Sequence, residues 1–245
     1  MIRSSITKKI QNSNKEFRLR GHEVKRIEAF SDAVFAFAVT LLIVSLEVPK
    51  TFEDLLITMR GFFAFGISFS LLMMIWYEQN VFFRRYAMDD ITIITLNCIL
   101  IFLVLFFVYP LKFLFTFIFS PIMYAKKNFP IHVSEKDPPM LLLIYGSGYI
   151  AIYLLFCLMY VHAFRKRKEL ELTVHEQFDT KTKMFANSIL VSVGVVSVVL
   201  SQLLPQNLIG LAGFSYFLIW PAFTVFYIYR TRKRKLLIDN ISESQ

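Results

Sequence analysis

The apolar residues of this chain gather into six long runs that are separated by polar and basic segments. A helix needs about 20 apolar residues to cross the hydrocarbon of a bilayer, and each run is near that length. No strand-like alternation is seen, and in lipid every backbone polar group must be bonded within the protein, so helices are expected. The predicted spans are Phe30–Val48, Leu55–Trp76, Ile91–Tyr109, Met140–Phe164, Phe185–Leu204 and Leu208–Tyr229.

A shorter apolar run, Phe113–Tyr124, follows the third predicted span and is too short to cross by itself. Two interpretations are open, since it can extend the third helix beyond the bilayer or lie at the interface. The prolines and lysines of 125–139 predict an outer loop. Pro205-Gln206-Asn207 predicts a tight hairpin between the last two spans.

The composition favours a membrane protein over a soluble one. Hydrophobic residues make up 56% of the chain and charged residues 18%, against about 25% charged in typical soluble domains. The net charge of +9 could suggest nucleic acid binding, but the basic residues flank the apolar runs, where topology signals lie. Of the 27 Lys and Arg, 21 fall on one side of the predicted bilayer, which predicts that both termini are cytoplasmic.

The expected fold is therefore all-α, a polytopic membrane protein with six transmembrane helices. Its predicted parts are a basic cytoplasmic N-terminus over 1–26, a membrane domain over 27–230 and a cytoplasmic tail over 231–245. The four histidines are far apart, His175-Glu176 lacks the second histidine of a zinc-binding helix, and phosphate-binding glycine loops are absent. The sequence thus predicts no enzyme, no cofactor and no resident metal.

The first span is unusual because it carries a carboxylate, Asp32, beside the hydroxyl of Ser31. A charged side chain in the membrane costs about 2.5–3.5 kcal/mol at mid-helix and less near the ends. Asp32 can be a charge that favours the N-terminal end of the helix dipole, or a hydrogen-bonding hub between helices. The residues alone favour neither interpretation.

The run from Arg26 through Phe30-Ser31-Asp32, with the following Ala33–Leu42, resembles the signature of the lysosomal-type potassium channels (the transmembrane protein 175 family) in its bacterial branch. Trp76, Asn97 and Pro110 at the close of the third helix fit the same pattern. The resemblance implies six helices per subunit, a homotetramer and a central cation pore lined by the first helix. It also implies that Phe30, Ser31 and Asp32 serve assembly, with Asn97 as a partner.

One departure from the family concerns the second helix. The histidines common after its tryptophan are missing here, and Glu78-Gln79-Asn80 stand in their place. Either Gln79 or Asn80 can take the position of a histidine in the network.

The family's constriction, seven residues after the signature Phe30, would fall on Phe37, with Leu41 as the alternative. A helical stripe toward the pore axis then holds Ala33, Phe37, Thr40 with Leu41, Val44 and Glu47. A ring of apolar side chains blocks ions by dewetting, Thr40 would give a ring of hydroxyls for selectivity, and Glu47 would gather cations at the outer mouth. The plainer alternative is that these residues only pack, and that Thr40 bonds to its own helix.

The predicted function is a cation channel that passes potassium passively in a bacterial cell membrane, with the bilayer, potassium and further copies of itself as partners. No Thr-Val-Gly-Tyr-Gly segment occurs, and Gly146-Ser147-Gly148 is too short to replace it, so a carbonyl filter is not expected. A secondary transporter or proton-coupled carrier is the alternative, and a structural membrane protein is a third class. The basic runs at 165–168 and 230–235 can bind anionic lipid.

Overall fold

The structure is a computed structural model, and it describes residues 17–21, 23–44, 50–123, 137–205 and 208–243. Within these ranges the regular structure is helical, with no strand. The helices are α1 (Arg26–Val44), α2 (Phe52–Arg60), α3 (Phe62–Tyr86), α4 (Ile91–Met123), α5 (Pro138–Arg165), α6 (Val174–Leu203), α7 (Gly210–Phe214) and α8 (Ile219–Glu243), with a 3-10 turn at Ser215–Leu218 between α7 and α8.

Five helical stretches of the described residues are long and apolar enough to cross a bilayer: Phe62–Tyr86, Ile91–Val108, Pro138–Arg165, Val174–Leu203 and Gly210–Arg234. This confirms an all-helical protein with several membrane-spanning helices. The described part of α1 has 19 residues and carries Arg26, Glu28 and Asp32 near its start. A sixth crossing by α1 and the cytoplasmic termini stay predictions.

The basic segments of the chain meet at one end of the helical bundle. The Gly21 amide donates to the Arg84 carbonyl at the end of α3, and the Arg234 guanidinium lies 3.6 Å from Asp179 near the start of α6. Local contacts therefore bring together segments that the charge count alone assigns to the cytoplasm.

Two apolar clusters hold the helices together. The first lies between α3, α4 and α5 and centres on Phe82, Leu100, Phe156 and Tyr160, all fully buried. The second lies between α1, α3 and α4 and includes Phe35, Leu72 and Val104. The first helix thus packs on one side only, against α3 and α4.

The second and fifth spans are two of those whose bounds differ from the prediction. The predicted second span, Leu55–Trp76, is divided at Gly61, whose amide donates to the Thr58 carbonyl in a tight turn; glycine is among the weakest helix formers. The continuing helix α3 runs ten residues past Trp76 to Tyr86. The helix of the fifth span begins at Val174 instead of Phe185, because Thr173 and Glu176 form a capping box there.

The expectation that Pro110 closes the third helix is wrong, since α4 continues through it to Met123. The run at 113–124 therefore extends this helix as far as the structure describes it, which was the first of the two interpretations. Proline is tolerated inside membrane helices where neighbouring groups satisfy the backbone. Separately, the Tyr145 hydroxyl of α5 donates to the carbonyl of Pro110 itself at 2.5 Å, which ties α5 to α4 at this level.

Gly146 and Gly148 allow α5 to lie close to both of its neighbours. A Cβ atom at position 146 would be 2.3 Å from a methyl of Val198 on α6, and one at position 148 would be 2.3 Å from the Phe107 ring on α4. Small residues at such crossings let membrane helices approach closely. These glycines therefore serve helix packing.

Candidate pore helix and its supporting network

The buried face of α1 is defined by four side chains at helical spacing. Ser31, Phe35, Ala38 and Leu42 are each at most 1% exposed. Their spacing of four, three and four residues keeps them on one side of the helix. Since this side packs on α3 and α4, the opposite side of α1 faces away from the subunit.

The exposed side of α1 carries most of the residues predicted to line a pore. Ala33 and Thr40 are exposed, and the Phe37 side chain is 56% exposed. Leu41 is half-buried and packs on the cluster that contains Phe35 and Ala38.

The outer part of the predicted stripe is described only incompletely. Val44 is the last residue of α1, and its side chain is not described. Glu47 lies outside the described residues.

The Thr40 hydroxyl donates to the Phe37 carbonyl of its own helix at 2.6 Å, and it lies 3.4 Å from the Ala36 carbonyl. The plain alternative for Thr40, bonding to its own helix, is therefore present in the single chain. A hydroxyl has one donor hydrogen and two acceptor lone pairs. Because the hydrogen is engaged by the backbone, the oxygen can still accept or coordinate a cation on the exposed side.

A buried row of polar side chains links three helices behind this face. The Asn97 amide on α4 donates to the Ser31 hydroxyl on α1 at 2.8 Å, and the Ser31 hydroxyl donates to the Ile27 carbonyl at 2.7 Å. The Gln79 amide on α3 donates to the side-chain oxygen of Asn97. Ser31, Asn97 and Gln79 are each no more than 2% exposed. Of the two amides considered from the sequence, Gln79 takes the place in the row.

Asn97, which the resemblance implies as a partner of Ser31 and Asp32, bonds to Ser31 but not to Asp32. Asn97 binds Ser31, whereas Asp32 accepts a hydrogen bond of 2.7 Å from the indole nitrogen of Trp76 on α3. Phe30 is 56% exposed and lies outside the two apolar clusters. Arg26 is exposed, and within the described residues it has no ion pair. Ser31 and Asp32 thus bond to side chains of neighbouring helices, whereas Arg26 and Phe30 are exposed.

At the basic end of the bundle, Arg20 and Glu176 form an ion pair that the sequence did not predict. The Arg20 guanidinium binds both carboxylate oxygens of Glu176, at 3.1 and 2.8 Å, and also donates to the carbonyls of Leu170 and Arg85. The Glu176 side chain is 2% exposed. These bonds fasten the segment that leads into α1 onto α3 and α6. The pattern Thr173-x-x-Glu176 was the available signal, because it marks a helix start.

A second ion pair joins α3 to α6. Lys183 lies 2.9 and 2.7 Å from the two carboxylate oxygens of Glu78, and the Tyr160 hydroxyl of α5 donates to the first of them at 2.8 Å. From the sequence, Glu78 is notable only as a neighbour of Gln79, and its ion pair with Lys183 is not predicted. Within the described residues, no group of three or more His, Cys, Asp or Glu side chains could hold a metal ion.

This chain is similar to known potassium channels both in sequence and in fold. A family model described as the endosomal/lysosomal potassium channel TMEM175 matches residues 26–110. A potassium channel of Marivirga tractuosa is 39% identical over 237 residues, covering 93% of this chain and 96% of that protein. A potassium channel of Chamaesiphon minutus is 33% identical over 107 residues, covering 40% and 53%.

Two solved structures are also similar. A crystal structure of a threonine-to-alanine variant of the potassium channel MtTMEM175, bound to a nanobody fusion, has a TM-score of 0.79 at 38% identity, and the match covers 89% of this chain and 97% of that one. A TMEM175 homologue from Chamaesiphon minutus, described as a lysosomal potassium-selective channel, has a TM-score of 0.52 at 23% identity, over 84% and 96%. At that identity the second likeness concerns the fold alone.

Proposed function

Since this chain belongs to the family of the endosomal/lysosomal potassium channel TMEM175, we propose that it passes potassium passively across a bacterial cell membrane. The proposed pore is a homotetramer in which α1 of each subunit faces a central axis. The excess of Lys and Arg on one side of the predicted bilayer supports cytoplasmic positions for both termini. Relatives of this chain that are named potassium channels support the choice of ion.

The observation that carries the proposal is the one-sided packing of α1. One side of α1 is completely buried and consists of Ser31, Phe35, Ala38 and Leu42. The other side is exposed and carries Ala33, Phe37 and Thr40. Symmetric oligomers use the same surface patch of every subunit. A fourfold arrangement of α1 around an axis would give the open side both its partners and its pore.

Phe37 is the proposed constriction. Four Phe37 rings at one level of the axis would form an apolar neck, and such a neck blocks ions when it loses its water. Leu41, the alternative constriction, is half-buried against α3 and α4, which leaves less of its side chain for the axis. The exposure of the two residues therefore favours Phe37.

Selectivity is proposed to come from side chains, because the sequence lacks the Thr-Val-Gly-Tyr-Gly segment that forms a carbonyl filter. Thr40 lies one turn from Phe37 on the open side, and its oxygen retains lone pairs for a potassium ion that has lost part of its water. Val44 and Glu47 would continue the stripe to the outer mouth, where Glu47 would concentrate cations. Side-chain rings coordinate less completely than carbonyl rings, so the preference for potassium should be modest.

Ser31 and Asp32 are proposed to hold α1 in place for assembly. The row through Asn97 and Gln79 fixes the buried side of α1 to α4 and α3. The bond between Asp32 and Trp76 fixes the edge of α1 to α3. Arg26 and Phe30, which are exposed, would contact neighbouring subunits or the membrane surface.

The test is potassium flux from liposomes that contain the purified protein, with sodium and a large organic cation as controls. Fast passive flux that prefers potassium is the expected result. Saturation with fixed coupling to a second ion would instead indicate a secondary transporter or proton-coupled carrier. Absence of flux from a folded tetramer, under varied pH and voltage, would contradict the channel proposal.

A matched pair of variants tests the constriction. Phe37→Ala removes an exposed ring, so it should widen the neck and raise potassium flux with little loss of stability. Leu41→Ala removes a side chain that packs on the subunit core, so its main effect should be a lower unfolding midpoint. If Leu41→Ala raises the potassium flux and Phe37→Ala leaves it unchanged, the constriction is at Leu41 instead of Phe37.

A further inference from the structure

Two cationic side chains on neighbouring helices share one aromatic ring at the basic end of the bundle. The guanidinium carbon of Arg167 lies 4.9 Å from the centroid of the Phe164 ring, and the ammonium nitrogen of Lys181 also lies 4.9 Å from it. Arg167 follows the end of α5, and Lys181 lies in the first part of α6. The two positive charges are therefore held within about 10 Å of each other.

Neither charge is balanced by an acidic partner in the described part of the chain. The ion pairs of this region join Lys166 to Glu169 and Arg234 to Asp179 instead. Within the described residues, the Arg167 guanidinium donates one hydrogen bond, to the Phe164 carbonyl at 3.3 Å, out of the five that it can donate. An anion that contacts either cation, or both, would supply the counter-charge that the described residues lack.

The three residues lie where the apolar spans end. Phe164 is the last apolar residue of the predicted fourth span and is followed by Arg165-Lys166-Arg167-Lys168. Lys181 precedes Phe185, the first residue of the predicted fifth span, by one helical turn, so the two share a face of α6. Phe185 is 54% exposed. Aromatic and basic residues at this level meet the lipid headgroups, while an exposed ring below them can meet an acyl chain.

We propose that Arg167, Lys181 and Phe164 form a binding site for the phosphate of an anionic phospholipid in the cytoplasmic leaflet. The guanidinium binds phosphate oxygens through parallel N–H groups, and the ammonium adds a second point charge. Both cations contact the ring of Phe164, which limits how far apart they can lie. The site depends on the membrane position of α5 and α6 and not on ion conduction, so it stands or falls separately from the proposed channel.

The test is native mass spectrometry of the full chain in detergent, titrated with dioleoyl phosphatidylglycerol and, in parallel, with dioleoyl phosphatidylcholine. The unchanged protein should bind phosphatidylglycerol saturably and more tightly than phosphatidylcholine. Arg167→Gln and Lys181→Gln should each weaken the first binding event about tenfold, because each removes a charge-assisted contact. Lys168→Gln removes the same charge from an exposed neighbour and should change the affinity less than about twofold.

Three outcomes would overturn the proposal. Equal weakening by Lys168→Gln would mean that the lipid responds only to total charge. Equal affinity for phosphatidylcholine would mean that no anionic headgroup is recognised. Displacement of phosphatidylglycerol by millimolar inorganic phosphate would assign the two cations to a soluble anion instead. Thermal unfolding of each variant, expected within a few degrees of the unchanged protein, separates a lost site from a lost fold.

Discussion

The buried row formed by Ser31, Asn97 and Gln79 permits a quantitative test of how α1 is held. Asn97 is the central member, since it donates to Ser31 and accepts from Gln79. Leucine has the same number and branching of side-chain heavy atoms as asparagine, so Asn97→Leu removes both bonds without opening a cavity. The change should therefore report on polar interactions rather than on packing.

The expected cost follows from the groups left behind. Interhelical hydrogen bonds in membranes contribute about 0.6 kcal/mol each on average, and two are lost. The Gln79 amide, which is 2% exposed, keeps no partner, and a buried unsatisfied donor costs about 1–3 kcal/mol. The Ser31 hydroxyl still donates to the Ile27 carbonyl. Asn97→Leu should thus lower the free energy of unfolding by about 2–4 kcal/mol.

A double-mutant cycle with Gln79→Leu isolates the shared bond. Gln79→Leu alone should also destabilise, because it leaves the Asn97 oxygen without its donor. The double variant removes both unsatisfied groups, so it should be no less stable than Asn97→Leu alone. Asn80→Leu, at the half-buried neighbour that lies outside the row, should change the free energy by less than about 0.5 kcal/mol.

The assay is reversible unfolding in mixed micelles with increasing sodium dodecyl sulfate, followed by tryptophan fluorescence. Trp76 is one of two tryptophans in the chain and lies beside α1, so it reports on this contact directly. Additive losses from the two single changes would refute the reasoning, because independent sites show no coupling. A large loss of unfolding free energy from Asn80→Leu would mean that Asn80, and not Gln79, is the amide that bonds in the row.

Four further predictions concern assembly, selectivity and packing. Asp32→Ala should reduce the tetramer recovered in light scattering, while Asp32→Asn, which keeps an acceptor for the indole, should restore it; an intact tetramer with altered ion ratios would contradict this role. Thr40→Ala should lower the potassium-to-sodium flux ratio with assembly intact, and an unchanged ratio would remove Thr40 from selectivity. Gly148→Ala should lower the unfolding free energy by about 1–3 kcal/mol, whereas Gly66→Ala, with open space around it, should lower it little or raise it. Arg20→Ala, which leaves a buried carboxylate unpaired, should lower the unfolding midpoint in a thermal scan by several degrees, and an unchanged midpoint would show that this ion pair holds nothing.

Much of the architecture could be predicted because lipid imposes simple rules on a sequence. A spanning helix must be apolar over its full length, so the spans stand out as runs of residues and need no knowledge of their partners. Errors occurred where a helix extends beyond the lipid or carries a breaker. The polar start of α6 at Val174 and the passage of α4 through Pro110 are examples. The length of an apolar run indicates which residues lie in the lipid, but it does not indicate where the helix begins and ends.

The sequence by itself determined the class of protein and the residues Phe30-Ser31-Asp32 that carry the family resemblance, and it predicts the spans and the side that gathers positive charge. Only the tertiary structure decided which side of α1 is open, that Gln79 rather than Asn80 meets Asn97, and that Asp32 bonds to Trp76. The reason is that a helix apolar on all sides gives no local sign of its buried face. Such a face is chosen by partners far away in the chain, as in the bond between Ser31 and Asn97, which are 66 positions apart.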